Sequence, residues 1–182
     1  MVFKPVHRGD NGYTDIVEGR IEKDSPIIEF IGELDELISF IGLVKAYLRN
    51  SNIEKYRHAI SMLTEIQQRL MSVASYVATL GKKPSSIDKG VVNEIEEVIK
   101  KLSNEVVMPR GFIIPGSSVE SSLLHVIRAI CRRVERRAVK LLRERIIDSN
   151  TYVYLNRLSD LLYVLALYLN KLNNIEEELS SL

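Results

Sequence analysis

Apolar residues recur at every third or fourth position through four long stretches of this chain, and this spacing constrains the fold more than any other feature. The stretches cover residues 27–48, 60–77, 117–145 and 155–172, and a shorter one covers 91–102. Such spacing places apolar side chains on one side of an α-helix. No segment sustains the alternation that is typical of strands. The sequence therefore predicts an all-α, up-and-down five-helix bundle, with four long helices and one short one, in a single domain over residues 1–182.

Breaks in this pattern divide the chain into a loop, a bundle and a tail. Residues 1–25 are polar and interrupted by glycines, which predicts a loop without regular structure. The bundle is expected over residues 26–175, and residues 176–182 form a short tail. Before the fourth helix, prolines and glycines enclose an apolar trio that begins with Phe112. This trio predicts an apolar loop between two helices.

Three segments carry signals for helix ends. Ser25 is followed by Pro26, which is favoured at the first helical position. Ser117 with Glu120 three residues later resembles a capping box and predicts the start of the fourth helix. Residues 148–150 are polar and are expected to turn the chain into the fifth helix.

Composition and charge limit the class of protein. Hydrophobic residues make up 46% and charged residues 27%, which is typical of a soluble globular protein. The net charge of +1 supplies no basic field for nucleic acid. The strongest apolar run, residues 161–169, is too short to span a membrane. The N-terminus has no secretory signal pattern, and the single Cys131 cannot form an internal disulfide, so the sequence predicts a cytoplasmic protein.

A row of cations on the fourth helix is the main functional signal. Arg128, Arg132, Arg136 and Lys140 follow each other at intervals of four residues, and they are separate from the apolar stripe of the same helix. Arginine binds phosphate oxygens in a bidentate manner, so a polyphosphate is the natural partner of this row. Glu135 is spaced to orient the Arg132 guanidinium. A solvated basic face is the alternative interpretation.

Three further signals are weaker. The segment 9–14 contains two glycines and Thr14, which suit a phosphate-binding loop, although it lacks the Walker A pattern and a plain turn is the alternative. Asp35 lies on an acidic stretch of the first helix, where it either faces solvent or pairs with an arginine of its own chain or of a neighbour. Asn156 and Asp160 are four residues apart on a leucine-rich helix, where polar residues cap, face solvent or bind a ligand.

The sequence favours neither a resident metal site nor a side-chain nucleophile. The three histidines, His7, His58 and His125, form no Glu-x-x-His pair, which disfavours a di-iron bundle. One cysteine is too few for a structural zinc cluster, and Cys131 is expected to pack in the core. The chain has no Gly-x-Ser-x-Gly motif.

Six segments of the chain form an ordered series, namely RGDNGYT (8–14), GRIEKD (19–24), GELDELISFIG (32–42), FIIPGSS (112–118), RAICRRVERR (128–137) and YLNRLSDLLYVLA (154–166). This series resembles the PduO-type ATP:cob(I)alamin adenosyltransferase family. No single motif is diagnostic, but their order and their spread over most of the chain are specific. The resemblance implies a five-helix bundle that forms homotrimers with active sites at subunit interfaces. It also implies transfer of the 5′-deoxyadenosyl group of ATP to the cobalt of a reduced corrinoid such as cobalamin, with release of triphosphate. Mg²⁺ on the phosphates and a corrinoid reductase as a further partner belong to the same expectation.

The resemblance assigns roles to the nucleotide-binding residues by motif position. The glycine-containing loop would fold over ATP and hold its phosphates, and the fourth and fifth helices would bind the rest of the nucleotide. The residues expected to do so are Gly9, Asp10, Thr14 and Lys23 in the loop region, Arg132, Glu135 and Arg136 on the fourth helix, and Asn156 on the fifth. Arg8 stands where the family has threonine and is expected to bind phosphate as well.

Three residues carry the corrinoid and interface roles that the resemblance implies. Asp35 and Arg128 would form an ion pair between subunits, and Phe112 would lie at the lower face of the corrin and displace its axial base. With Arg132 they are the predicted catalytic residues. The chain departs from the family at Ile38, where the pattern has asparagine, and at Glu18, where it has glycine. Two alternatives therefore stay open: a trimer that binds ATP or corrinoid without turnover, and a purely structural helical trimer.

Overall fold

A computed structural model describes residues 9–181 of the chain, and α-helices dominate it. The elements in chain order are β1 (Tyr13–Ile16), β2 (Gly19–Glu22), α1 (Pro26–Asn52), α2 (Arg57–Val77), α3 (Lys89–Glu105), α4 (Val119–Arg143) and α5 (Ser149–Asn173). The helical class predicted from the apolar spacing is confirmed. Among the described residues, no helix combines the length and the apolar character that a membrane crossing requires.

The order in which the helices pack differs from their order in the sequence. Helix α4 packs against α1 and α5, while α2 packs on α1 and α3 packs on α5. Sequence-adjacent helices were expected to be antiparallel neighbours, but α3 has its main contact with α5 rather than with α2 or α4. The connections at 78–88 and 106–118 are long enough to allow this arrangement. As a result α4 lies at the centre of the bundle.

The N-terminal segment contains a β-hairpin, so the prediction of an irregular loop over residues 1–25 was wrong for part of it. Strands β1 and β2 are antiparallel, and Tyr13 pairs with Glu22 while Ile16 pairs with Gly19. Each strand has four residues, which is too short for a clear alternating pattern. The carboxylate of Glu18 in the turn pairs with the ammonium of Lys82 beyond α2. This ion pair ties the hairpin to the bundle.

The starts of α1 and α4 follow local capping chemistry. The Ser25 hydroxyl accepts a hydrogen bond from the Ile28 amide, with Pro26 in the first turn, so the predicted start of α1 is confirmed. Helix α4 begins one residue later than predicted, because Ser118 and not Ser117 caps it by accepting from the Ser121 amide. Ser117 instead accepts from the backbone of residue 178, a contact that the local sequence does not reveal.

A cap substitution at the start of α3 tests this local chemistry. Asp88 caps α3 by accepting a 2.9 Å hydrogen bond from the Val91 amide. We expect Asp88→Ala to lower the free energy of unfolding by about 1 kcal/mol, because an amide of the first turn loses its acceptor. Asp88→Asn keeps an acceptor oxygen and is the matched control. Chemical denaturation of both variants measures the difference, and equal stabilities would contradict the role of the cap.

The core runs along the apolar stripes of all five helices. The largest fully buried side chains include Phe30 and Leu34 of α1, Leu63 of α2, and Tyr154 of α5. Cys131 is buried as predicted, and its thiol faces the Leu155 carbonyl at 3.6 Å. The buried apolar side of α4 packs in the core, so the opposite side, which carries the arginines, lies at the surface.

Candidate active site

A cleft between the 106–118 connection and helices α3, α4 and α5 brings three predicted catalytic residues together. It encloses about 570 Å³ and contains Phe112, Arg128 and Arg132. The other lining residues are Ile99, Ser103, Met108, Gly111, Ile113, Pro115, His125, Ser159, Asp160, Tyr163 and Val164. One wall is therefore apolar and the other carries guanidinium groups.

Phe112 supplies the most exposed part of the apolar wall. Its side chain is 79% exposed, although phenylalanine is usually buried. Ile113, next to it, is half-buried and also lines the cleft. An aromatic ring held in solvent at the mouth of a cleft is not needed for packing of the bundle. It provides an apolar surface for a ligand.

The arginines of α4 divide into two sets with different partners. Arg133 pairs with the carboxylates of Glu33 and Glu36 on α1, and Arg137 pairs with Glu29 at 3.2 Å. Within residues 9–181, Arg132 and Arg136 pair with no carboxylate, and both side chains are exposed. Arg132 and Arg136 of the predicted row thus remain available to an anion, while the adjacent Arg133 and Arg137 are neutralised by α1.

Glu135 does not orient Arg132, which corrects one expectation from the sequence. Its Oε1 atom accepts hydrogen bonds from the Tyr152 hydroxyl at 3.2 Å and from the Asn156 amide at 3.1 Å. The Asn156 Oδ1 atom in turn accepts a 2.8 Å bond from Arg157. Tyr152 and Asn156 lie four residues apart on one side of α5, and both reach Glu135 of α4. Two predicted nucleotide residues, Glu135 and Asn156, are therefore in direct contact.

In the cleft, the Tyr163 ring contacts both Arg128 and His125. The Arg128 guanidinium carbon is 5.8 Å from the centre of the Tyr163 ring, and the His125 ring meets the same ring edge-on at 6.1 Å. Both nitrogens of His125 and the Nε atom of Arg128 are buried without a hydrogen-bond partner in the described part of the chain. Burial, and then the charge of Arg128, lower the pKa of His125. The imidazole is therefore neutral at pH 7.

The lowered pKa of His125 makes the free energy of unfolding depend on pH. Because its pKa is lower in the folded state, the unfolded chain binds the proton more readily. The free energy of unfolding therefore falls as the pH drops below the ordinary histidine value of about 6.5. We expect His125→Gln to show a smaller stability loss than the wild type between pH 7.5 and pH 5.5. Denaturant midpoints at both pH values measure this, and equal losses in the two proteins would contradict it.

The predicted phosphate loop is built against the hairpin. The Lys23 ammonium donates a 2.7 Å hydrogen bond to the Gly9 carbonyl, and the Lys23 amide donates to the Gly12 carbonyl at 2.9 Å. Gly12 has a φ of 80°, a backbone conformation that favours glycine. Asp10 lies exposed in the same turn. The structure thus brings Gly9 and Lys23 together, whereas Arg8 lies outside the described residues.

Thr14 and Asp35 line a different groove. This groove lies between the hairpin, α1 and α2, and it also contains Ile38. Asp35 is exposed, and among residues 9–181 it forms neither a hydrogen bond nor an ion pair. The in-chain alternative for Asp35 is therefore wrong within the described residues, since Glu29, Glu33 and Glu36 make the contacts to the α4 arginines.

His125 and Tyr163 line the cleft but were not predicted as site residues from the sequence. His125 lies three residues before Arg128, on the same face of α4, and this spacing was the available signal. Tyr163 comes from α5, and only the packing of α5 on α4 places its ring in contact with the two. A tertiary contact of this kind has no local pattern.

Fold and cleft together define an α-helical bundle with one arginine-lined, partly apolar cleft. The family model for cobalamin adenosyltransferase matches residues 6–169. The chain is 37% identical over 168 residues to the corrinoid adenosyltransferase of Bacillus subtilis, covering 92% of this chain and 86% of that protein. It is 36% identical over 168 residues to the corrinoid adenosyltransferase MMAB of Bos taurus, covering 88% and 68% of the two. This chain belongs to the cobalamin adenosyltransferase family, as the ordered motifs predicted.

Solved structures agree with this assignment. A variant of the PduO-type ATP:corrinoid adenosyltransferase from Lactobacillus reuteri, complexed with cobalamin and ATP, matches with a TM-score of 0.87 and 31% identity, and the match covers 98% of this chain and 99% of that one. A second variant of that enzyme, complexed with ATP, matches with a TM-score of 0.87 and 32% identity over 97% of this chain and 99% of that one.

Proposed function

We propose that this chain is an ATP:corrinoid adenosyltransferase, which transfers the 5′-deoxyadenosyl group of ATP to the cobalt of a reduced corrinoid and releases triphosphate. The observation that carries the proposal is the cleft whose lining includes both exposed Phe112 and Arg132, an arginine without a carboxylate partner in the described chain. An apolar ring suits the face of a macrocycle, and a guanidinium suits a polyphosphate. Family membership supplies the reaction type.

The reaction requires the protein to position its two substrates and does not require a side-chain nucleophile. The reduced cobalt attacks C5′ of ATP, the C5′–O bond breaks, and the electron pair leaves with the triphosphate. Cys131 is not a nucleophile in this reaction, because its thiol is buried and burial raises the pKa of that thiol to about 12. The contributions of the protein are alignment of C5′ with cobalt and stabilisation of the leaving group.

The nucleotide residues fall into two groups with separate tasks. Arg132 and Arg136 are assigned to the phosphates because they are exposed and bind no carboxylate within residues 9–181. The hydrogen-bonded pair of Glu135 and Asn156 is assigned to the adenosine part, since together they offer donors and acceptors beside the arginines. Gly9, Asp10, Thr14 and Lys23 complete the phosphate site from the loop and hairpin, with Arg8 preceding them.

Mg²⁺ is proposed to accompany the triphosphate. No group of three or more metal-ligating side chains lies together within residues 9–181. This fits a metal that takes most of its oxygens from phosphates and water, since Mg²⁺ commonly uses only one or two protein carboxylates when it is bound with a nucleotide. The ion would neutralise charge on the leaving triphosphate.

The complete site is proposed to form between subunits of a homotrimer. Thr14 and Asp35 line one groove, whereas Arg128, Arg132 and Phe112 line another. The buried Nε atom of Arg128 lacks a partner and the exposed Asp35 carboxylate lacks one as well, within the described residues. An ion pair between the Arg128 guanidinium of one copy and Asp35 of the next would give the carboxylate a partner and join the two grooves. A corrinoid reductase is the proposed supplier of the reduced substrate.

One assay tests the activity. Cobalamin is reduced chemically, ATP and Mg²⁺ are added, and the spectral change from cob(I)alamin to the adenosylated product is followed. Turnover supports the enzyme. Binding of ATP or corrinoid without turnover would replace it by a binding module, and absence of both would leave a structural bundle. The exposure of Phe112 speaks against the last outcome.

A further inference from the structure

The C-terminal segment of the chain folds back onto the loop that carries Phe112. Helix α5 ends at Asn173 and is capped by Asn174, which adopts a left-handed conformation with φ of 54°. The chain then returns beside the loop, and Ile113 forms an isolated antiparallel bridge with Leu179. The Ser180 amide donates to the Phe112 carbonyl at 2.8 Å, and the Ile114 amide donates to the Glu178 carbonyl at 2.8 Å. We call residues 175–181 the tail strap.

A buried side chain secures this segment at its beginning. Asn170 is 1% exposed, and its amide nitrogen donates a 2.9 Å hydrogen bond to the carboxylate of Glu177. The amide oxygen of Asn170 accepts from the hydroxyl of Ser118, the cap of α4. The Glu178 amide donates to the Ser117 hydroxyl at 3.1 Å. The tail strap is thus connected to the last turns of α5 and to the start of α4.

These contacts are not required to end α5. The amides of Asn174 and Ile175 already bond to the Lys171 and Asn170 carbonyls, which satisfies the helix terminus. The backbone hydrogen bonds of residues 178 and 180 therefore stabilise the loop that carries Phe112. They fix the backbone immediately before and after Ile113, and one of them holds the carbonyl of Phe112 itself.

Phe112 depends on its backbone for its position. With 79% of its surface exposed, the side chain has little packing of its own. An exposed aromatic side chain occupies a small set of staggered rotamers relative to its backbone, so the positions open to its ring move with its Cα atom. A loop that is free to move would spread the ring over many positions, and a misplacement of about 1 Å costs up to roughly 10²-fold in rate.

We propose that the tail strap is a positioning element for the corrinoid step: its backbone hydrogen bonds to residues 112 and 114 hold Phe112 in the cleft. The inference rests on the proposed function. The strap residues act through Phe112 and do not touch the nucleotide site, so turnover depends on the strap while ATP affinity does not.

A proline at position 180 removes one hydrogen bond and leaves the chain at full length. Ser180→Pro deletes the amide that donates to the Phe112 carbonyl, and Ser180→Ala keeps that amide and is the matched control. We expect kcat for adenosylation of cob(I)alamin to fall about 10- to 100-fold in Ser180→Pro relative to Ser180→Ala. The KM for ATP should be the same in both. Ser117→Ala, which removes the acceptor of the Glu178 amide, should change kcat in the same direction.

Two additional measurements separate positioning from general destabilisation. Amide exchange at Ile114 should be faster in Ser180→Pro than in Ser180→Ala. Loss of the bond between residues 180 and 112 should weaken the neighbouring bond from the Ile114 amide to the Glu178 carbonyl. The double variant Phe112→Ala/Ser180→Pro should be no slower than Phe112→Ala alone, because both changes affect one interaction. Fully additive rate losses, or a raised KM for ATP, would overturn the proposal.

The wild-type protein distinguishes this proposal from the function on which it rests. A wild type without turnover contradicts the adenosyltransferase assignment. An active wild type with equal kcat in the proline and alanine variants contradicts only the role of the tail strap.

Discussion

Arg132→Ala is expected to lower kcat for adenosyl transfer by about 10²- to 10³-fold, the cost of removing one preorganised charge donor. Arg132 lines the same cleft as Phe112 and is bound by no carboxylate of residues 9–181. Its guanidinium is therefore available for the negative charge that develops on the leaving triphosphate. The rate is measured with chemically reduced cobalamin at saturating ATP and Mg²⁺.

The matched control for this substitution is Arg137→Ala on the same helix. Arg137 is half-exposed and pairs with Glu29 at 3.2 Å, so it is neutralised within the chain. We expect near wild-type kcat and a loss of stability below about 1 kcal/mol, as is usual for exposed ion pairs. Equal rate losses in the two variants would show that the general charge of α4, and not Arg132 in particular, serves the reaction.

Phe112→Ala is expected to reduce adenosylation by roughly 10²-fold while ATP affinity stays the same. The ring lines the cleft that also contains Arg128 and Arg132. Under the proposed function it lies at the lower face of the corrin and helps to align cobalt with C5′ of ATP. Loss of the ring should leave the thermal midpoint nearly unchanged, because the side chain is 79% exposed.

Val107→Ala is the control for the loop. Val107 is 90% exposed in the same connection but does not line the cleft. It should retain wild-type rates. Calorimetric titration with ATP completes the test, since a collapse of ATP affinity in Phe112→Ala would show that the loop binds nucleotide and not corrinoid.

Much of the architecture was predictable because helices depend on neighbours along the chain. The apolar spacing from Phe30 to Leu48 places all buried residues of α1 on one side, and Ser25 with Pro26 specifies its start through local hydrogen bonding. Motif order likewise identified the family, because the cleft residues Phe112 and Arg132 lie within contiguous motif segments.

The errors have a common physical origin in contacts between distant segments. The hairpin at residues 13–22 has strands of four residues and is tied to the bundle by Glu18 and Lys82, 64 residues apart. The start of α4 was misplaced by one residue because Ser117 serves the C-terminal tail, 61 residues away. Short-range patterns contain no information on either contact.

By itself the sequence determined where the helices lie, that α4 presents a surface of arginines, and which family the chain resembles. Only the tertiary structure decided which arginines remain free for an anion. Arg133 and Arg137 are neutralised by α1, whereas Arg132 is not, and the contact between Arg133 and Glu33 joins residues 100 positions apart. Helical periodicity reflects interactions over three or four residues. Whether an arginine of α4 is neutralised depends on which helix packs beside it, and that packing follows from the assembly of the whole core.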